Sequence, residues 1–167
     1  MVRLYLPFFL ALLILVIPKE SVASGMLAEL REVAINVAVG KNAKKFGVAE
    51  EGVKNHTLGL LRSKLPHLVI KESVLPKVSI NITLGGTNAG VEKVGYFGQI
   101  EVEVFRKVTI QKTGMVILAN VWETGMSFVG PGDLATTHVR KILDELLTRF
   151  AADWNRGNPQ KGTGIPL

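Results

Sequence analysis

Val78-Ser79-Ile80-Asn81-Ile82-Thr83-Leu84 alternates apolar and polar residues without a break. Period two over seven residues predicts a strand with one face in a core and the other toward water. Val33, Ile35, Val37 and Val39 repeat the pattern upstream, with Ala34, Asn36 and Ala38 between them. Downstream, Tyr96 to Gln111 carries Ile100, Val102, Val104, Val108 and Ile110 on one parity and Glu101, Glu103 and Thr109 on the other. Arg106 falls on the apolar parity of that strand and Phe105 on the polar one, so a β-bulge is expected there to return Arg106 to solvent. If Arg106 stays buried, it needs a carboxylate or an anionic ligand.

Two helical patterns flank the strands. Ala49 to Leu65 places Val53, Leu60, Leu61 and Leu65 on one side, and Pro66 ends it. Leu134 to about Arg156 carries a wide apolar stripe, among it Val139, Ile142, Leu143, Leu146, Leu147, Phe150 and Trp154, with Asp133 expected as N-cap. His67 to Glu72 reads as a short strand. Met115 to Thr124 reads as a further strand, apolar on both parities up to Trp122, a pattern expected of a central strand covered on both faces. Lys41, Lys44 and Lys45 suggest an exposed turn over 40–47. Gly85 to Gly90 and Glu123 to Gly132 read as glycine-rich connections. The expected fold is α+β, in the order β-α-β-β-β-β-α. It is a mostly antiparallel sheet of about five strands with two helices packed on one face.

The N-terminus speaks to compartment. Arg3 precedes an apolar run from Leu4 to Ile17, Pro18-Lys19-Glu20 breaks it, and Ser21-Val22-Ala23 supplies small residues for a signal peptidase. Residues 1–23 are therefore expected to be a secretory signal peptide, cut after Ala23. The alternative, a membrane anchor, needs a longer run, since a spanning helix takes about 20 apolar residues. Residues 24–159 then form a single α/β domain and 160–167 a flexible tail. The chain has no cysteine, which excludes disulfides, thiolate metal sites, Cys nucleophiles and a lipid anchor on a cysteine at the cut site. The expected location is exported and periplasmic, with no stable transmembrane anchor once the signal is removed.

The formal net charge is +6, and loss of Arg3, Lys19 and Glu20 lowers it by one. The basic residues are scattered, without an arginine-rich run or a row of aromatics, so nucleic acid is not an expected partner. Motifs for catalysis are thin. Ser127 lies in Gly125-Met126-Ser127-Phe128-Val129-Gly130, which lacks the spacing of a nucleophile elbow. His56, His67 and His138 share no helical or strand spacing, and no metal or other cofactor is expected. Glu101 and Glu103 share a strand face about 7 Å apart, a separation used in glycoside chemistry but common on any exposed strand. Gly85-Gly86 leads into no helix. Gly130-Pro131-Gly132-Asp133 does open one, but Asp133 would repel a phosphate.

The stretch Trp122-Glu123-Thr124-Gly125 followed by Met126-Ser127-Phe128-Val129-Gly130, a closing amphipathic helix with Phe150 and Trp154, and the stop at Asn158-Pro159 occur together. On these features the chain, over about Val78 to Pro159, resembles a family of small exported bacterial proteins of unknown function. Members often carry Ser or Thr as N-cap of the first helix, where this chain has Val48-Ala49. The element order is also similar to the small α/β module of envelope assembly proteins, such as the N-terminal domain of the Tol system's propeller protein. The resemblance implies an envelope protein without implying a chemistry. The leading expectation is a non-catalytic protein-interaction module of the cell envelope. Its partner surface is expected at Trp122, Gly125, Met126, Phe128 and Gly130 and on an apolar open sheet face, and a homo-oligomer is compatible with it. A periplasmic carrier of small molecules or lipids is the alternative, and a hydrolase built on Ser127 the third reading.

Overall fold

The computed structural model describes residues 25–72, 74–89 and 92–159. The expected signal peptide, its cleavage site and the tail 160–167 lie outside the described residues. Five strands form one sheet: β1 (Glu32–Val39), β2 (Val69–Ile70), β3 (Lys77–Ala89), β4 (Glu92–Thr109) and β5 (Val116–Pro131). Three helices accompany them: α1 (Lys41–Lys45), α2 (Glu50–Lys64) and α3 (Ala135–Gly157), the last entered through a 3-10 turn at Gly132–Leu134. The fold is α+β in the expected order β-α-β-β-β-β-α, with the five-residue α1 added where a turn was expected.

Spatially the sheet runs β2-β1-β3-β4-β5. The β3–β4–β5 part is antiparallel, while β1 runs parallel to both β2 and β3. The parallel step from β1 to β3 needs a crossover, and α1, α2 and β2 supply it. The core residues follow the period-two pattern: Val78, Ile80, Ile82, Ile100, Val102 and Val104 are all at most 1 % exposed. Against them pack Leu61 from α2 and Leu143, Leu146, Leu147 and Phe150 from α3, each at most 1 % exposed. Burying a side chain of this size contributes about 1.5–3 kcal/mol, so this interface is a large part of what holds the fold together.

Several expectations about the last two strands need correction. Gly85–Ala89 continues β3, and 123–131 continues β5, so neither is a loop. The two strands of the β4–β5 hairpin pair from Gly95–Pro131 to Thr109–Val116. Glycine appears at Gly85 of β3 and Gly98 of β4 because neighbouring side chains cross there. A Cβ on Gly85 would overlap the Phe97 ring of the facing residue, and one on Gly98 would overlap Leu84 and Phe128. A bare backbone under an aromatic ring is a known sheet device. The β5 strand is also not central: among the described residues it is an edge, paired only with β4. Its second apolar parity is left in solvent near its start, where Val116 is 58 % and Leu118 52 % exposed.

The bulge lies on the other strand from the one expected. Val104 faces Trp122 and Phe105 faces Asn120, so Val121 of β5 is the extra residue. Arg106 therefore keeps its helix-side parity opposite Ala119. It lies at the margin of the helical layer and is half-buried. Its Nη1 donates to the backbone carbonyls of Met26, at 3.1 Å, and Ala28, at 3.4 Å. Carbonyl oxygens thus take the place of the expected carboxylate or anion. Asp133 makes no side-chain cap; it sits in the 3-10 turn, and α3 begins at Ala135 without a side-chain cap bond.

Candidate functional site

Strand alternation divides the expected partner residues between two faces. Trp122 points under α3 and is 5 % exposed. Its ring meets Phe150 edge-on at 5.2 Å, and its Nε1 donates to Asp153 Oδ2 at 2.9 Å. Met126 and Phe128 share that side, half-buried against the core. Gly130 also lies there, where an added Cβ would fall 2.6 Å from Tyr96 Oη and 2.7 Å from His138 Nδ1. Gly125 alone of the five shares the open face, opposite Glu101. The set does not make one surface, and Trp122 is a core residue.

The corner above Gly130 is aromatic. Phe46, which follows α1, and Phe128 both meet Tyr96 at centroid distances of 5.8 Å, and the Tyr96 and His138 rings lie 6.1 Å apart. Tyr96 Oη and His138 Nδ1 share a hydrogen bond. Burial of Tyr96 raises the pKa of its phenol above the ordinary value, and the negative charge of Asp133 adds to the rise. This is a closed, packed corner rather than a cleft.

The open face of the sheet is polar at its centre. Glu103 and Glu123 face each other directly across β4 and β5. Two like charges so placed repel. Asn120 relieves this by donating from Nδ2 to Glu103 Oε1 and to Glu123 Oε2, both at 3.0 Å. The Val121 bulge makes that possible, since it returns residues 120 and 123 to the same side. Asn81 donates to Glu103 Oε2 at 3.0 Å, and Gln99 to Glu101 Oε1 at 2.8 Å. Glu101 and Glu103 are thus engaged with amides on the open face of the sheet. Among the described residues no group of three or more His, Cys, Asp or Glu is placed to hold a metal ion.

Toward the end of the sheet nearest α3's start, the open face turns apolar. Phe97 and Val129 are directly paired across β4 and β5 and are 63 % and 76 % exposed. With Thr83, Gly85, Gln99 and Ser127 they line a shallow groove. The β5 edge beside it has no strand partner among the described residues. The apolar open face expected from the sequence is therefore present only at the two ends of the hairpin, with the acidic and amide patch between.

The other candidates do not converge. Ser127 is exposed on the open face opposite Gln99, whereas His138 meets Tyr96 on the helix side. His56 Nε2 bonds Asp144 Oδ1 between α2 and α3, and His67 is exposed after α2. Ser127, a histidine and a carboxylate do not come within hydrogen-bonding distance among the described residues. Nor is any helix of the described residues long and apolar enough to cross a membrane.

No protein-family model matches the sequence. Among solved structures, the chain is similar to a single-substitution variant of PelC, a dodecamer from Paraburkholderia phytofirmans. The identity is 12 %, the match covers 78 % of this chain and 88 % of that one, and the TM-score is 0.42. It is also similar to a minor lipoprotein from Acinetobacter baumannii, at 10 % identity over 77 % of this chain and 95 % of that one, with a TM-score of 0.34.

Proposed function

We propose that this chain is an exported, non-catalytic interaction module of the cell envelope, and that it grips a protein partner at Phe97 and Val129 on the open sheet face. The observation that carries this reading is the exposed Phe97–Val129 pair. Two large apolar side chains placed side by side on a face with no helix over it among the described residues are costly in water and useful in an interface. The β5 edge, without a strand partner among the described residues, lies next to them, so a partner can add main-chain hydrogen bonds to side-chain contact. The signal-like N-terminus and the family resemblance support the envelope location.

The carrier reading is less well supported. It needs a cavity between sheet and helices, and that layer is filled by Leu61, Leu143, Leu146, Leu147 and Phe150. The hydrolase reading has no assembled nucleophile and base to stand on.

The test is a photo-crosslinking side chain placed in the full-length protein at Val129 and, as reference, at Thr148 on the exposed side of α3. The expected result is a discrete envelope adduct at 129 alone, lost when Phe97→Ser is added. Equal adducts at both positions, or persistence with Phe97→Ser, would overturn the assignment.

A further inference from the structure

The β4–β5 hairpin outruns the rest of the sheet. Pairing of β3 with β4 begins at Lys77–Phe105, so Arg106 to Thr109 pair with β5 alone. Four further residue pairs extend the ribbon by about 13 Å, and a turn from Ile110 to Met115 closes it, with Gly114 at φ 69°. Residues 106–119 contain Arg106, Lys107 and Lys112 and no acidic residue. The acidic side chains of the hairpin lie farther back, at Glu101, Glu103 and Glu123.

The tip is also apolar. Met115, Val116 and Leu118 are 54 %, 58 % and 52 % exposed. Leu118 is paired with Lys107 and Val116 with Thr109 on the open side, so apolar and basic groups share one surface. Lys107 and Lys112 are exposed and have no hydrogen-bond or ion-pair partner among the described residues. The base of the tip is tied by Arg106 to the carbonyls of Met26 and Ala28, and Met26 is itself 46 % exposed.

We propose that the tip, Lys107 to Leu118, docks on an anionic lipid bilayer. Lys107 and Lys112 meet the negatively charged headgroups, and Met115, Val116 and Leu118 enter the interfacial layer. Charge complementarity selects this occupant over another copy of the chain. A second tip would bring the same two lysines against the first without an acid to answer them. Apolar contact combined with attraction to anionic lipid is the usual basis of binding at a membrane interface.

The absence of cysteine allows single thiols to be introduced cleanly. The full-length chain would carry an environment-sensitive fluorophore at Val116→Cys or, as reference, at Ser127→Cys. Both sites are exposed, and circular dichroism verifies the fold of each labelled chain. Vesicles of phosphatidylcholine, with and without phosphatidylglycerol, are then added. The two labelled chains differ only in where the probe sits, so a difference between the probes reports the tip.

The expected result is a blue shift and gain in emission at 116 with the anionic vesicles, and none at 127. Lys107→Ala with Lys112→Ala should weaken docking of the tip about thirtyfold, from the contribution of each lysine near an anionic surface. A probe at 116 that stays in water with anionic vesicles overturns the proposal. So does a response that is equal with neutral vesicles. A blue shift that needs no lipid and grows with protein concentration overturns it in favour of a second copy of the chain.

Discussion

Trp122 and Asp153 are joined across the sheet–helix boundary, the indole Nε1 donating to the carboxylate Oδ2 at 2.9 Å. Asp153 is only 21 % exposed, and its other oxygen is held by Arg156 at 2.8 Å. The bond fixes α3 over the bulged stretch of β5 at the place where the ladder is weakest. Trp122→Phe keeps a ring against Phe150 but leaves Asp153 Oδ2 without its donor. Hydrogen bonds to charged groups contribute about 1.5–3 kcal/mol, so a loss of about 2 kcal/mol is expected in the urea-unfolding free energy. An unchanged midpoint would mean that the indole contributes only its area.

Two glycines should respond in opposite directions to the same change. At Gly98, an added Cβ would overlap Leu84 and Phe128 and fall 2.9 Å from the Thr83 carbonyl oxygen. Gly98→Ala is expected to cost about 1–3 kcal/mol, as overpacking in a close-fitted core does. At Gly59, exposed within α2, nothing lies within 4 Å. Gly59→Ala is expected to stabilise by about 1 kcal/mol through helix propensity alone. Thermal unfolding of both variants beside the parent checks the pair of signs.

Thr57 presents a different opportunity. It is fully buried on α2, and its hydroxyl has no hydrogen-bond partner among the described residues. An unmatched buried hydroxyl costs about 1–3 kcal/mol on the scale of protein mutational data. Thr57→Val removes the polar atom while preserving the branched shape, so a gain of about 1 kcal/mol is expected in equilibrium denaturation. A loss would show that the hydroxyl has a partner after all, such as an ordered water.

Alternation made the sheet legible in the sequence. Val78 to Leu84 and Ile100 to Val104 are period-two runs, and each residue of the apolar parity is in fact buried. The long stripe of α3 was equally plain. Glycine misled at two places. Gly85 and Gly130 looked like residues of connections, yet they sit in β3 and β5 because Phe97, Tyr96 and His138 pass over them. That cause is a contact across strands, which no local pattern carries. The partner residues suffered from the same limit. Trp122 looked like part of a glycine-rich surface, but once 123–131 is strand, parity sends it inward and Val129 outward. The exposed Phe97–Val129 pair requires the register, and the register depends on a bulge whose strand the sequence did not reveal.

Tyr96 offers a titration that reads the aromatic corner directly. Burial raises its phenol pKa above 10.0, and Asp133 raises it further. The folded state thus holds this proton more tightly than the unfolded chain does. The stability contributed is fully present below the unfolded value and is lost as pH rises through the folded value, so unfolding free energy should fall in alkaline solution. The chain has two tyrosines, and Tyr5→Phe leaves Tyr96 alone to report in an absorbance titration of phenolate. Its midpoint is expected above that of the denatured chain. Asp133→Asn should lower the midpoint without bringing it down to the denatured value, because burial is the larger cause. A midpoint at or below the denatured value would mean that water reaches the phenol and that the corner formed by Phe46, Phe128 and His138 is open in solution.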